Sequence, residues 1–362
     1  MRKKIISFVG TRPELIRLSV IIQKLDENFQ HIFVYTGQNY TNELSIIFFN
    51  ELNIRKPDYL MNFEFSNLSE FLGKLFINAG EIIQKEAPDG GIILGDTNSA
   101  LVAIVLERMN VPVFHLEAGN RCFNQDAPEE LNRKVIDKAS SFNLVYSEFA
   151  RRNLLKEGFD NDKIFKIGSP MREVLRLYQN EINDSEILKT YDLNSELFIA
   201  ASFHRQENID NPETRNELIY GLSLLSAEFN VPVILSVHPR LKNFLQNENE
   251  YDESIIFTKP VGFFDWCHLQ KNSIVTISDS GSISEESSIL GFQAITPRTS
   301  IERQEAIEMG AILRCDPTST SILTAAKFIL RKSAGDSPPT PEDYTIENTS
   351  DRVVTIIFDH LP

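Results

Sequence analysis

The feature that most limits the fold of this chain is an alternation of short Val-, Ile- and Phe-rich runs with stretches of helical period. In the first half the runs are 5–9, 31–36, 91–94, 112–115 and 143–146. Parallel strands need a crossover of a dozen or more residues between them, so this spacing predicts parallel sheets covered by helices. The alternation restarts after Gly168-Ser169-Pro170, with runs 197–202, 231–237, 254–257, 273–277 and 292–296. A length of 362 residues exceeds what one hydrophobic core usually serves. We therefore expect an α/β protein with two doubly wound, Rossmann-like halves, 1–167 together with 346–362, and 168–345. Gly168-Ser169-Pro170 joins a flexible residue to a helix-starting proline and is the expected hinge. A Ser-, Gly-, Asp- and Pro-rich stretch, 333–341, precedes an amphipathic tail, 346–360, expected to be a helix that returns to the first half.

Charge and composition exclude several functions. A formal net charge of −15 opposes bulk nucleic-acid binding, which needs a basic surface. An anionic ligand must then be held by a few local cations and helix N-termini. The longest apolar runs are strand-sized and far short of a bilayer span, and the first apolar run stops at Gly10-Thr11-Arg12, before a signal-peptide core is complete. Three widely spaced cysteines, Cys122, Cys267 and Cys315, offer no CxxC metal or redox pair and suit a reducing, cytoplasmic setting. Neither a GxGxxG fingerprint nor a GxxxxGK[ST] loop is present, which argues against nicotinamide enzymes and P-loop NTPases.

Several motifs fall at the carboxyl ends of expected strands, where open α/β sheets bind ligands. Gly10-Thr11-Arg12-Pro13-Glu14 opens the first helix and brings Arg12, with Arg17 a turn further on, to a position suited to a diphosphate; a solvated helix face is the plainer reading of Arg17. Gly95-Asp96-Thr97 puts Asp96 at a strand tip, where capping the next helix is the plain alternative. His115-Leu116-Glu117-Ala118-Gly119-Asn120-Arg121 supplies Glu117 with a cation nearby, and His115 reads as a buried hydrogen-bonding imidazole. Pro128-Glu129-Glu130 starts another helix, where acids also favour the macrodipole. Three acids, Asp96, Glu117 and Glu129, thus come from successive loops of one sheet edge, as proton transfer on two faces of a sugar requires.

In the second half His204-Arg205 and His238-Pro239-Arg240 end strands. Asp279-Ser280-Gly281-Ser282 leads from a strand into a small-residue helix start whose N–H groups suit phosphate, and Glu286 is placed one turn on, within reach of a ribose diol.

Together these motifs resemble the non-hydrolysing UDP-N-acetylglucosamine 2-epimerases along nearly the whole chain. The resemblance implies a glycosyltransferase-B-like fold with the active site in the interdomain cleft, a homodimer, a UDP-sugar substrate, no cofactor, no metal and a role in surface polysaccharide biosynthesis. The segments 114–123, 260–265 and 284–290 are closer to the branch that inverts C2 of UDP-N-acetyl-L-talosamine to give UDP-N-acetyl-L-fucosamine. Members acting on UDP-N-acetylglucosamine typically carry Leu-Arg-Thr-Gly where this chain has Asn120-Arg121-Cys122-Phe123. The apolar Cys122-Phe123 pair suits a 6-deoxy sugar, or packing alone.

Matched to the family, Asp96, Glu117, Glu129 and His204 are the catalytic expectations. Arg12, Arg17, Ser280, Gly281, Ser282, Glu286 and Arg303 are the substrate-binding ones. The implied chemistry is loss of UDP from C1 with the C2 proton, followed by re-addition. UDP-N-acetylglucosamine as the substrate, a glycosyltransferase on the same fold, a hydrolysing epimerase and a non-catalytic nucleotide-sugar-binding protein are the alternatives.

Overall fold

The computed structural model describes residues 2–37, 49, 51–61, 63–125, 127–245, 252–333 and 336–361. They divide into two compact units, Met1–Val174 with Ile346–Pro362, and Leu175–Thr345. The boundary falls within the helix Met171–Leu177, so Gly168-Ser169-Pro170 lies inside the first unit.

The first unit is a seven-stranded sheet in the order β3-β2-β1-β4-β5-β6-β7. Its strands are β1 (Lys4–Val9), β2 (Gln30–Tyr35), β3 (Tyr59–Leu60), β4 (Gly90–Leu94), β5 (Val113–Leu116), β6 (Phe142–Val145) and β7 (Ile164–Lys166). Every pairing is parallel. All five residues of β4 are buried, as a central strand covered by helices on both faces demands. The core beneath the sheet unites Ile6, Phe8 and Ile93 with Leu75 and Ile83 of the helix Leu68–Glu86. The expected tail is the helix Thr349–His360, which packs on the helix Arg12–Asn28. Its start is tied down by Ser350, whose N–H and hydroxyl donate to Glu173 at 2.9 and 2.6 Å. Its end is held by His360, whose ring lies 4.9 Å from those of Phe142 and Phe165.

The second unit is a six-stranded parallel sheet, β10-β9-β8-β11-β12-β13. Its strands are β8 (Ile199–Phe203), β9 (Val233–Val237), β10 (Ile255–Thr258), β11 (Val275–Ser278), β12 (Ala294–Pro297) and β13 (Leu313–Cys315). Both units are Rossmann-like doubly wound sheets, the glycosyltransferase-B-like class expected. In each, the strand order reverses beside the first strand, between β1 and β4 and between β8 and β11. Those two switch points are where such sheets open a crevice for ligands. Part of the expected 333–341 stretch, residues 334 and 335, lies outside the described residues.

Candidate functional site

In the first unit the chain leaves β1 through Gly10 and enters the helix Arg12–Asn28 with Pro13 in its first turn. Glu14 turns back, and its carboxylate accepts the Gly10 N–H at 2.6 Å. Burial pushes the Glu14 carboxyl up to about 7, although hydrogen bonds from Gly10, Thr97 and Thr11 oppose the shift. Arg12, at the helix start, is half-buried. Arg17, one turn on, is buried and points at Glu117, with Nε 3.6 Å from Oε2.

Glu117 follows β5 directly and has φ +68. A left-handed glutamate costs about 1–3 kcal/mol and persists only where its surroundings impose it. Gly119, at φ +78, completes the bend; a Cβ there would overlap the Ala150 carbonyl oxygen, so the turn needs glycine. Beneath the bend is a charge network, buried at His115, Arg121 and Asp137. Asp137 accepts the Gly119 N–H and lies 2.9 Å from the His115 ring and 2.7 Å from Arg121 Nη1. Arg121 continues to Glu157, with Nε and Nη2 at 2.8 and 2.7 Å. The cation beside Glu117 is therefore Arg17, whereas Arg121, the expected neighbour, is wholly buried under the loop. Asn120 adds a contact to Glu117 at 3.3 Å.

Asp96 stands at the tip of β4, next to β5 in the sheet. It does not cap the following helical turn; Arg133 Nε and Nη2 both reach its Oδ2 at 2.8 Å. Arg133 belongs to the helix Pro128–Ala139, and its Nη1 donates to Glu130 at 3.0 Å. Glu129 is half-buried in the first turn of that helix, while Glu130 is the buried one. Burial alone raises the Glu130 carboxyl, but the Cys122 N–H and thiol together with Arg133 outweigh it and hold the group below its ordinary value. Phe123, one residue on, has φ +56 and leaves 69% of its surface exposed.

In the second unit, tips of the adjacent strands β8 and β11 meet around one fully buried carboxylate, Asp279. It accepts the His204 N–H at 3.0 Å, the Arg205 N–H at 3.1 Å and Asn208 Nδ2 at 3.0 Å. It also lies 3.1 Å from His204 Nδ1, which leaves the other ring nitrogen directed away from it. Burial, helped by Arg205 and Arg298, pushes the His204 imidazole below its ordinary value, against the pull of Asp279. Arg205 and Arg298 share Glu302 at 3.0 and 2.8 Å. That carboxylate stands so close to Gly281 that a Cβ there would lie 2.9 Å from Oε1. Ser280, Gly281 and Ser282 are half-buried and lead into the helix Ile283–Leu290, whose first N–H groups carry no side-chain cap. Glu286, on its buried face, accepts from Gln270 at 2.7 Å.

Arg303 is placed differently from a ligand-facing side chain. It is 1% exposed, pairs with Glu285 at 3.1 Å and donates from Nε to the Gly281 carbonyl at 3.1 Å. It braces the loop from below. Each unit thus gathers its expected residues at its own switch point: Arg12, Arg17, Asp96, Glu117 and Glu129 in the first, and His204, Ser280, Gly281, Ser282 and Glu286 in the second. Sequence reading passed over Glu14, Glu130, Arg133, Asp137 and Asp279 as site residues. Asp279 sits in a motif already singled out and Arg133 three residues beyond another, but their partners lie 75 and 37 residues away. Among the described residues no helix is long and apolar enough to cross a membrane, and no cluster of His, Cys, Asp or Glu is arranged to hold a metal.

Comparison with known proteins bears on this arrangement. The UDP-N-acetylglucosamine 2-epimerase family model matches residues 23–358. The UDP-N-acetylglucosamine 2-epimerase from Rickettsia bellii superposes with a TM-score of 0.92 at 36% identity, covering 100% of this chain and 97% of that one. The Methanocaldococcus jannaschii UDP-GlcNAc 2-epimerase in complex with UDP-GlcNAc and UDP gives 0.90 at 31% identity, covering 98% and 99%. The UDP-2,3-diacetamido-2,3-dideoxy-D-glucuronate 2-epimerase of Pseudomonas aeruginosa is 31% identical over 339 residues, 92% of this chain and 94% of its own. With matches of this extent, the chain belongs to the UDP-N-acetylglucosamine 2-epimerase family, whose members are isomerases.

Proposed function

We propose that this protein is a UDP-sugar 2-epimerase that inverts C2 of UDP-N-acetyl-L-talosamine to give UDP-N-acetyl-L-fucosamine. The observation that carries the epimerase reading is the strained Glu117, held by Arg17 and Asn120 at a strand tip beside that of Asp96. The C2 hydrogen of a 2-acetamido sugar is not adjacent to a carbonyl, so simple deprotonation gives a poorly stabilised carbanion. Elimination avoids it. One carboxylate removes the C2 proton as the C1–oxygen bond to UDP breaks, and the electron pair forms a C1–C2 double bond. UDP then returns to C1 while a second acid protonates C2 on the opposite face. Asp96, Glu117 and Glu129 are assigned to these transfers.

The leaving diphosphate is assigned to Arg12, His204 and the Ser280-Gly281-Ser282 helix start, which stabilise charge as it develops. Arg17 would keep the Glu117 carboxylate in position, Glu286 would bind the ribose, and Arg303 would act through the Gly281 carbonyl. The homodimer belongs to this proposal on the family resemblance.

The choice of a 6-deoxy sugar is supported by Phe123, an exposed aromatic ring in the loop that follows Glu117. A second reading, UDP-N-acetylglucosamine to UDP-N-acetylmannosamine, is favoured by the names of the relatives above. Turnover of both UDP-sugars, followed by NMR, separates the two. The L-talo compound is expected to have the higher kcat/KM, and Phe123→Ala to cut that preference by roughly 1–3 kcal/mol, the worth of one apolar contact. Turnover of UDP-N-acetylglucosamine alone establishes the second reading.

A further inference from the structure

The second unit contains a sealed cluster with two carboxylates and one cation. Glu285, Arg303, Glu305 and Tyr344 are all buried, between 0% and 4% exposed. Arg303 is committed to Glu285 and to the Gly281 carbonyl, at 3.1 Å each. Glu305 lies two residues further along, in the first turn of the helix Gln304–Glu308, and its carboxylate accepts the Tyr344 hydroxyl at 2.8 Å. Burial pushes the Glu305 carboxyl above its ordinary value and Glu285 adds to the shift, while Arg303, the residue's own backbone N–H and the Tyr344 hydrogen bond oppose it. The Tyr344 ring belongs to the same apolar cluster as Ile283, the first residue of the helix after the Ser280-Gly281-Ser282 loop, and Ala306.

We infer that Tyr344 is a positioning residue for the diphosphate loop: by donating its hydroxyl to Glu305 it keeps that carboxylate from competing for Arg303, which stays committed to the Gly281 carbonyl and Glu285. The inference rests on the assignment of Ser280-Gly281-Ser282 to the diphosphate. Without the hydroxyl, Glu305 keeps only its own backbone N–H, and the acceptor that Tyr344 had occupied turns to the guanidinium. The grip on the Gly281 carbonyl then loosens, and the N–H groups of the loop lose their fixed aim. Tyr344 is two residues before Ile346, where the chain passes to the first unit, so the brace comes from the last turn of the second unit.

The test is calorimetric titration with UDP at 25 °C on the full-length protein, with thermal melting in parallel, for wild type, Tyr344→Phe and the double variant Tyr344→Phe/Glu305→Met. Tyr344→Phe is expected to weaken UDP binding roughly three- to ten-fold and to lower the melting temperature, because a buried acceptor loses its donor. In the double variant the orphaned carboxylate is gone, so both the melting temperature and UDP affinity should recover towards wild type. KM for the UDP-sugar should follow the UDP affinity, with kcat changed less. Wild-type UDP affinity in Tyr344→Phe, or stability regained in the double variant without affinity, overturns the inference. Failure of the wild-type protein to bind UDP at all overturns the loop assignment itself, and the inference with it.

Discussion

Glu14 makes the sharpest physical demand in the first unit. Its side chain is 4% exposed, and its carboxylate is held by the Gly10 N–H at the exit from β1. Burial raises the group from 4.5 to about 7. At 1.36 kcal/mol per pKa unit the full linkage is about 3 kcal/mol. Because the folded-state value is the higher one, the unfolded chain releases this proton first. The contribution to stability is complete below about pH 4.5 and is lost as pH rises through 7. Between pH 5 and pH 8 the loss amounts to about 2.5 kcal/mol. Glu14→Gln keeps the shape and an acceptor for Gly10 but does not titrate.

Trp266, the single tryptophan, lies in the second unit, so its fluorescence does not report this core. Amide hydrogen exchange in β1 does. The opening free energy of wild type relative to Glu14→Gln should fall by about 2.5 kcal/mol from pH 5 to pH 8. A difference that stays level across that range would refute the reasoning, since the carboxyl would then titrate alike in folded and unfolded chains.

Two further substitutions probe the networks beneath the loops. Arg121→Met leaves Asp137 buried without its 2.7 Å partner and should destabilise the first unit by roughly 3–5 kcal/mol in the same exchange experiment; a loss under about 1 kcal/mol would mean the pair adds only packing. Asp279→Asn removes the carboxylate that pulls the His204 imidazole upward most strongly, leaving the weaker pull of Glu207, so the ring-proton NMR titration of His204 should move to lower pH, and a move upward would contradict the pairing.

The two-sheet plan was legible because parallel strands covered on both faces must be continuous apolar runs, as β4 is and β8 is but for Ser202. The short strands β3, β7 and β13 were not, since two or three residues of mixed burial carry no period. Loop tips were legible too: Asp96, Glu117 and His204 directly follow apolar runs. What the linear pattern does not carry is which charge meets which. Arg121 is only four residues from Glu117, yet its guanidinium goes to Asp137 and Glu157, and Glu117 takes Arg17 from another helix. In the pair Glu129-Glu130, the helical turn after Pro128 decides that Glu130 is buried against Arg133. Arg303 reads as an available cation until Glu285 and the Gly281 carbonyl are seen to hold it.

The claim on which the rest depends is proton transfer at C2 with UDP kept for return. Incubation of the protein with its UDP-sugar in deuterated water, followed by NMR and mass spectrometry, tests it most directly. Expected is one solvent deuterium at C2 of an inverted, intact UDP-sugar. Inversion with no deuterium at C2, or UDP accumulating alongside free or transferred sugar, would contradict it.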